Sequence, residues 1–257
     1  MSFECNTTKT ITSINLNCLA KWALELIIKH LNPNAVRVRS CSTRNIPLIN
    51  PKSVVSLTSN DLIYELSKED FDILVGSERP KNKIAFYDPN DGRIYLQEGK
   101  WCLRTIIHET LHACSVCAFE PQLYGLHKSF FEALTELYSG YILYKTQQEA
   151  YCNCWKQDSK MLCEIRYYNY LIKIAPIFRF IPMNYTYDLY FYKSGSNWNL
   201  AITFFVAKIK THYSNFTNPI SVGYSLLDNI FTQFSTIKPE INIIQLQDDV
   251  FDFDKII

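Results

Sequence analysis

Glycine is scarce in this chain, with seven in 257 residues. That shortage, together with the lack of any repeat or low-complexity tract, excludes collagen-like and linker-rich disordered architectures. An excess of charge of either sign is also missing. The 26 basic residues are balanced by 25 acidic ones, for a net charge of +1. Any attraction to nucleic acid or to an acidic membrane would therefore have to come from a local patch. No apolar run is long enough to span a bilayer, and the stretch 201–209 is broken by Lys208 and Lys210. The first residues, Met1-Ser2-Phe3-Glu4-Cys5-Asn6, lack the basic segment and apolar core of a secretory signal. Without one, the nine cysteines point to a reducing, cytoplasmic setting with mostly free thiols, and their odd number prevents complete internal pairing. The glycosylation patterns at Asn6, Asn184 and Asn215 are then accidents of an Asn-rich chain.

Aromatic residues are abundant. Seventeen tyrosines and sixteen phenylalanines suit a well-packed globular chain, either one large domain or two lobes. Leu16, Leu19, Ala20, Ala23, Leu24, Ile27, Ile28 and Leu31 form the apolar stripe of a helix over 16–31, ended by Asn32-Pro33. The alternation at 35–39 predicts a short strand, 41–51 a loop and 53–57 a second strand. Residues 61–66 read as a short helix capped by Ser59 or Asn60, and 71–75 as a strand closed by Gly76. Lys83–Tyr87 and Arg93–Leu96 flank Asp88-Pro89-Asn90-Asp91-Gly92, which predicts a hairpin. Helices follow at about 101–117, 129–148, 159–174, 198–212 and 219–234, and an acidic segment at 247–254. The layout is α+β. An N-terminal lobe over 1–100 carries a small mixed sheet with helices, and a mainly helical part over 101–257 begins with the motif helix described next.

That helix carries His108-Glu109-Thr110-Leu111-His112. Residues four apart share one helix face, so His108 and His112 can direct two imidazoles at one ion. Glu109, one position round, can reach a water on that ion as a general base. The alternative is a helix with two surface histidines. It fits poorly with the apolar neighbours Trp101, Leu103, Ile106, Ile107 and Leu111, because a buried polar group needs a partner.

A catalytic zinc takes three protein ligands and keeps one position open. Glu132, twenty residues after His112, is the first candidate for the third. It shares a face with Glu136 at i, i+4, and two like charges one turn apart need something positive nearby. An exposed acidic face is the other reading of this pair. His127, fifteen residues after His112, is the second candidate. A separate cluster, Cys114, Cys117, Cys152 and Cys154 with Cys163 beyond, could hold a structural zinc, although cysteines are also common small core residues.

His108-Glu109-x-x-His112-Ala113, followed by Glu132-Ala133-x-Thr135-Glu136, resembles the gluzincin, thermolysin-like branch of the zincin metallopeptidases. The resemblance covers roughly residues 83–145. It implies a zincin-like fold in which His108, His112 and Glu132 bind Zn2+, Glu109 is the general base and Glu136 steadies a ligand histidine. It implies hydrolysis of a peptide or protein substrate, with Arg93–Leu96 as the rim strand that pairs with it. Ala133 stands where that pattern has glycine, and the Gly-x-Met-Glu-Asn segment of the aminopeptidases is missing, which turns the expectation towards an endopeptidase. Tyr138, Tyr141, Tyr185, Tyr187 and His212 are undifferentiated candidates for assisting the transition state. A looser resemblance, to the SprT-like zincins, would make His127 the third ligand. A non-catalytic zincin-fold binding module is the rival class.

Overall fold

The computed structural model describes residues 16–31, 33, 37–38, 44–47, 54–57, 62–76, 83–146, 178, 181–191 and 196–212. The elements in chain order are α1 (Leu16–Leu31), β1 (Arg44–Pro47), β2 (Val54–Leu57), β3 (Ile63–Leu66), α2 (Lys68–Val75), β4 (Ala85–Asp88) and β5 (Arg93–Gln97). They continue with α3 (Leu103–Cys114), a 3-10 turn at Val116–Ala118, α4 (Pro121–Thr146), a second 3-10 turn at Met183–Thr186, α5 (Tyr187–Phe191) and α6 (Ser196–His212). The class is α+β, mostly helical. Among the described residues no helix is long and apolar enough to cross a membrane.

The chain clusters into two compact units, Met1–Glu25 with Ser40–Thr110, and Leu26–Arg39 with Leu111–Ile257. Two of the three boundaries, 25/26 and 110/111, fall inside the continuous helices α1 and α3.

In the first unit the sheet order is β3-β5-β4, with β3 parallel and β4 antiparallel to β5. The hairpin forms where its turn residues predict. Asp88 Oδ1 accepts from the Asn90 N–H at 2.9 Å, the Gly92 N–H returns to Asp88 O at 2.9 Å, and Gly92 takes a φ of 76°. Asp91 then receives the Arg93 N–H at 3.1 Å and the Tyr95 hydroxyl. Leu66, Phe71, Phe86 and Tyr95 form the core under the sheet, with Phe71 edge-on to Phe86 at 5.7 Å. The Trp101 indole N–H donates to Glu65, tying the entry of α3 to β3.

Two expectations reverse here. Residues 61–66 are not a helix; Ile63–Leu66 is a strand, because it pairs with β5 thirty residues later. Residues 71–75 are not a strand but the end of α2. Ser67 caps that helix, accepting the Asp70 N–H at 3.2 Å, and Gly76 closes it at φ 74°. The spacing Ser67-Lys68-Glu69-Asp70 is a variant of the capping box. The expected loop at 41–51 contains β1, which pairs antiparallel with β2. Arg37 and Val38 lie in no strand, and the rest of 35–39 is outside the described residues. So are the expected helices at 159–174 and 219–234 and the segment 247–254.

A third correction bears on function. Arg93–Leu96 is the central strand of the three, paired on both sides and wholly buried. Its backbone donors and acceptors are already used, so it cannot add a substrate strand. Among the described strands the edges of this sheet are β3 and β4.

In the second unit α4 supplies most of the core. Phe130 packs on Phe205 at 6.1 Å, Phe131 on Tyr190 at 6.0 Å, and Tyr138 stacks on Phe191 at 5.8 Å. The buried hydroxyls are paired. Thr135 bonds Tyr190 at 2.7 Å, and Tyr138 bonds Thr186.

Removing the α2 cap tests the reassignment of 68–75. Ser67→Ala is expected to lower unfolding stability by about 1 kcal/mol in a urea titration. An unchanged midpoint would mean that Ser67 does not cap a helix.

Candidate metal centre

α3 starts after Cys102, whose carbonyl accepts the Ile106 N–H at 3.1 Å while its own N–H is given to Thr105 Oγ1 at 3.3 Å. From Ile106 to Cys114 every residue is buried. That span includes His108, Glu109 and His112, so these polar side chains belong to the interior rather than to a solvated face. The helix itself sets His108 one turn before His112. It ends in a turn where Ser115 gives both its N–H and its hydroxyl to His112 O, at 3.1 and 2.8 Å.

α4 brings the third group. Glu132 is 1% exposed, and its Oε2 lies 3.3 Å from His112 Nε2. One ligand atom from each of His108, His112 and Glu132 falls within 4.8 Å of the others. His127 does not join this group, although it is wholly buried. It sits instead at a break in α4, with φ −128° and ψ 30°. The expected helix at 129–148 corresponds, as far as Thr146, to the portion after that break, and residues 147–148 lie outside the described residues; helix from Pro121 precedes the break. Glu136 is buried one turn beyond Glu132.

The three side chains could hold a metal ion. Burying a carboxylate costs several kcal/mol. A hydroxyl donor to a charged group returns about 1.5–3 kcal/mol. The composition, two nitrogens and one oxygen, is that of a site able to keep a position open.

Glu109 is held from the sheet. Its Oε2 accepts the Tyr87 N–H at 2.8 Å. Tyr87 is on the edge strand β4, so a backbone donor not used for pairing with β5 fixes the carboxylate next to the histidine pair on α3. A backbone donor of this kind limits rotation of the Glu109 side chain.

Of the tyrosines singled out from the sequence, Tyr138 is taken up in core packing with its hydroxyl on Thr186. Tyr141 is buried, and Tyr185 is exposed beside Lys208 Nζ, 5.2 Å from its ring centroid. Tyr187 stands edge-on to Tyr138 at 5.6 Å. The side chain of His212 is outside the described residues. Tyr124 reaches the site instead. Its hydroxyl donates to Glu132 Oε1, and its ring lies edge-on to His112 at 5.8 Å. Eight residues from Glu132, it carried no periodicity signal.

Cys114 and Cys117 are buried free thiols. Burial pushes Cys114 up to about 12 and Cys117 well above the usual thiol range. Cys152, Cys154 and Cys163, the other members of the suggested cysteine site, lie outside the described residues.

Comparison of the chain with protein-family models, with curated proteins and with solved structures found no match in any of the three.

The burial pattern predicts a thiol footprint. Brief alkylation of the native protein, mapped by mass spectrometry, should modify the exposed Cys18 and Cys102 and leave Cys114 and Cys117 untouched until denaturant is added. Native-state labelling of Cys114 or Cys117 would contradict the burial of the α3 C-terminus.

Proposed function

We propose that this chain is a zinc-dependent metallopeptidase of the zincin type, in the gluzincin arrangement. One observation carries the proposal: His108, His112 and Glu132 converge while Glu109, the next residue after His108, is anchored by the Tyr87 N–H. A purely structural metal site needs the three ligands but has no use for a fixed carboxylate beside them. That favours an enzyme over a non-catalytic module. The placement of Glu132, and not His127, beside the histidines favours the gluzincin pattern over the SprT-like one.

Zinc is the ion that suits two imidazoles and a carboxylate, and when bound it supplies Lewis-acid activation at this position. The protein's own groups do the rest. Glu109 takes a proton from the attacking water and delivers it to the leaving amine nitrogen as the C–N bond breaks. Its anchor on Tyr87 limits rotation, so the carboxylate starts each turnover in place.

The substrate is a peptide in extended form. It would lie along β4, where the Tyr87 N–H is held by Glu109 and the other outward main-chain groups of the strand would pair with it. This role moves from Arg93–Leu96, which is interior, to Ala85–Asp88.

Glu109→Gln separates the base from the metal site. The variant should bind zinc like the wild type, because Gln removes no ligand. Hydrolysis of a quenched-fluorescence peptide library should fall by about 10²–10⁴-fold. A fully active Gln variant would refute Glu109 as the base.

A further inference from the structure

Tyr124 touches two of the three candidate ligands at once. Its hydroxyl donates to Glu132 Oε1, and its ring stands at 88° to the His112 imidazole with centroids 5.8 Å apart. The other oxygen of the same carboxylate, Oε2, is the one that faces His112 Nε2 at 3.3 Å. The two oxygens of Glu132 are therefore distinguished, one held by a phenol and one turned towards the histidines.

This contact depends on the break in α4. In a straight helix, residues eight apart are separated by about 12 Å along the axis, too far for a phenol to meet a carboxylate comfortably. The non-helical backbone at His127 lies between Tyr124 and Glu132 and changes the direction of the first turn. Lys128 Nζ lies 5.9 Å from the Tyr124 ring centroid, a cation–π contact made from just beyond the same break. The interruption of the helix thus has a structural product, a tyrosine set against the ligand pair.

We propose that Tyr124 is a positioning residue for the metal, holding Glu132 Oε1 so that Oε2 alone is offered as a ligand. This rests on the metal-site reading above. A carboxylate free to rotate can chelate through both oxygens and crowd the remaining coordination position. One whose second oxygen is committed to a donor binds through a single atom and leaves that position open. Tyr124 acts here through Glu132, and no contact with substrate is assigned to it.

The test compares the wild type, Tyr124→Phe and Tyr138→Phe, each stripped of metal and titrated with zinc and with cobalt(II) against a chromophoric chelator. Tyr138→Phe is the control, since its hydroxyl is bonded to Thr186 in the core. Tyr124→Phe is expected to bind roughly 10–100-fold more weakly and to show an altered visible cobalt spectrum. Tyr138→Phe should change neither. Wild-type affinity and spectrum in Tyr124→Phe would overturn the proposal, as would equal weakening in both variants. Should Tyr124→Phe fail to fold, Tyr124→Gln and Tyr124→Leu replace it. The amide restores a donor and should bind metal more tightly than Leu, and equal affinities would overturn the assignment. A wild type that takes up neither metal would overturn the metal-site reading itself, an outcome distinct from loss of the Tyr124 role alone.

Discussion

A carboxylate buried to 1% exposure cannot be left uncompensated, and the placement of Glu132 against His112 is the constraint on which the rest of this site depends. Desolvating that group costs several kcal/mol, comparable with the whole net stability of a typical domain. The fold meets the cost locally. It sets an imidazole 3.3 Å away on α3, a phenol on the other oxygen, and a second imidazole within reach of the same point. Two histidines, one glutamate and an adjacent anchored glutamate are an expensive set to bury together. The first three could share a metal ion.

The scaffold around these groups is built for rigidity. Glu132 lies between Phe131 and Ala133 on a helix whose aromatic side packs on Tyr190, Phe191 and Phe205. Thr135, one turn from Phe131, ties α4 to Tyr190 through a buried hydroxyl pair. On the other side of the motif, the Trp101–Glu65 contact and the Tyr87–Glu109 bond fasten α3 to the sheet at two points. The three candidate ligands and Glu109 therefore sit on regular elements rather than loops, which is where a site of defined geometry holds its shape.

Much of this arrangement was legible in the residues, because it depended on local pattern. The α1 stripe gave the bounds of its helix, although Ile28 within it is 48% exposed. The Asp-Pro-Asn-Asp-Gly turn gave the hairpin. The i, i+4 spacing gave the two histidines, and the twenty-residue offset with Glu136 one turn on gave Glu132. What escaped depended on partners distant in sequence. Ile63–Leu66 has no strand length to speak of and becomes a strand only by parallel pairing with β5. Once it does, Ser67 is freed to cap α2, so one missed pairing inverted two assignments. The order β3-β5-β4 cannot be read from a hairpin alone, and it makes interior the strand that the resemblance assigns to the rim. Tyr124 escaped because a regular helix would carry it away from Glu132; only the break at His127 brings the two together. His127 drew attention as a ligand, yet its visible consequence is in the backbone.

The measurement that tests the central claim most directly is metal content per chain in the wild type, Glu132→Ala and His127→Ala, after reconstitution with zinc and removal of excess. The proposed site predicts one equivalent in the wild type, near-complete loss in Glu132→Ala, and retention in His127→Ala. Loss in the His127 variant with retention in the Glu132 variant would assign the third ligand to the wrong helix position. A wild type that holds no zinc would contradict the account at its root.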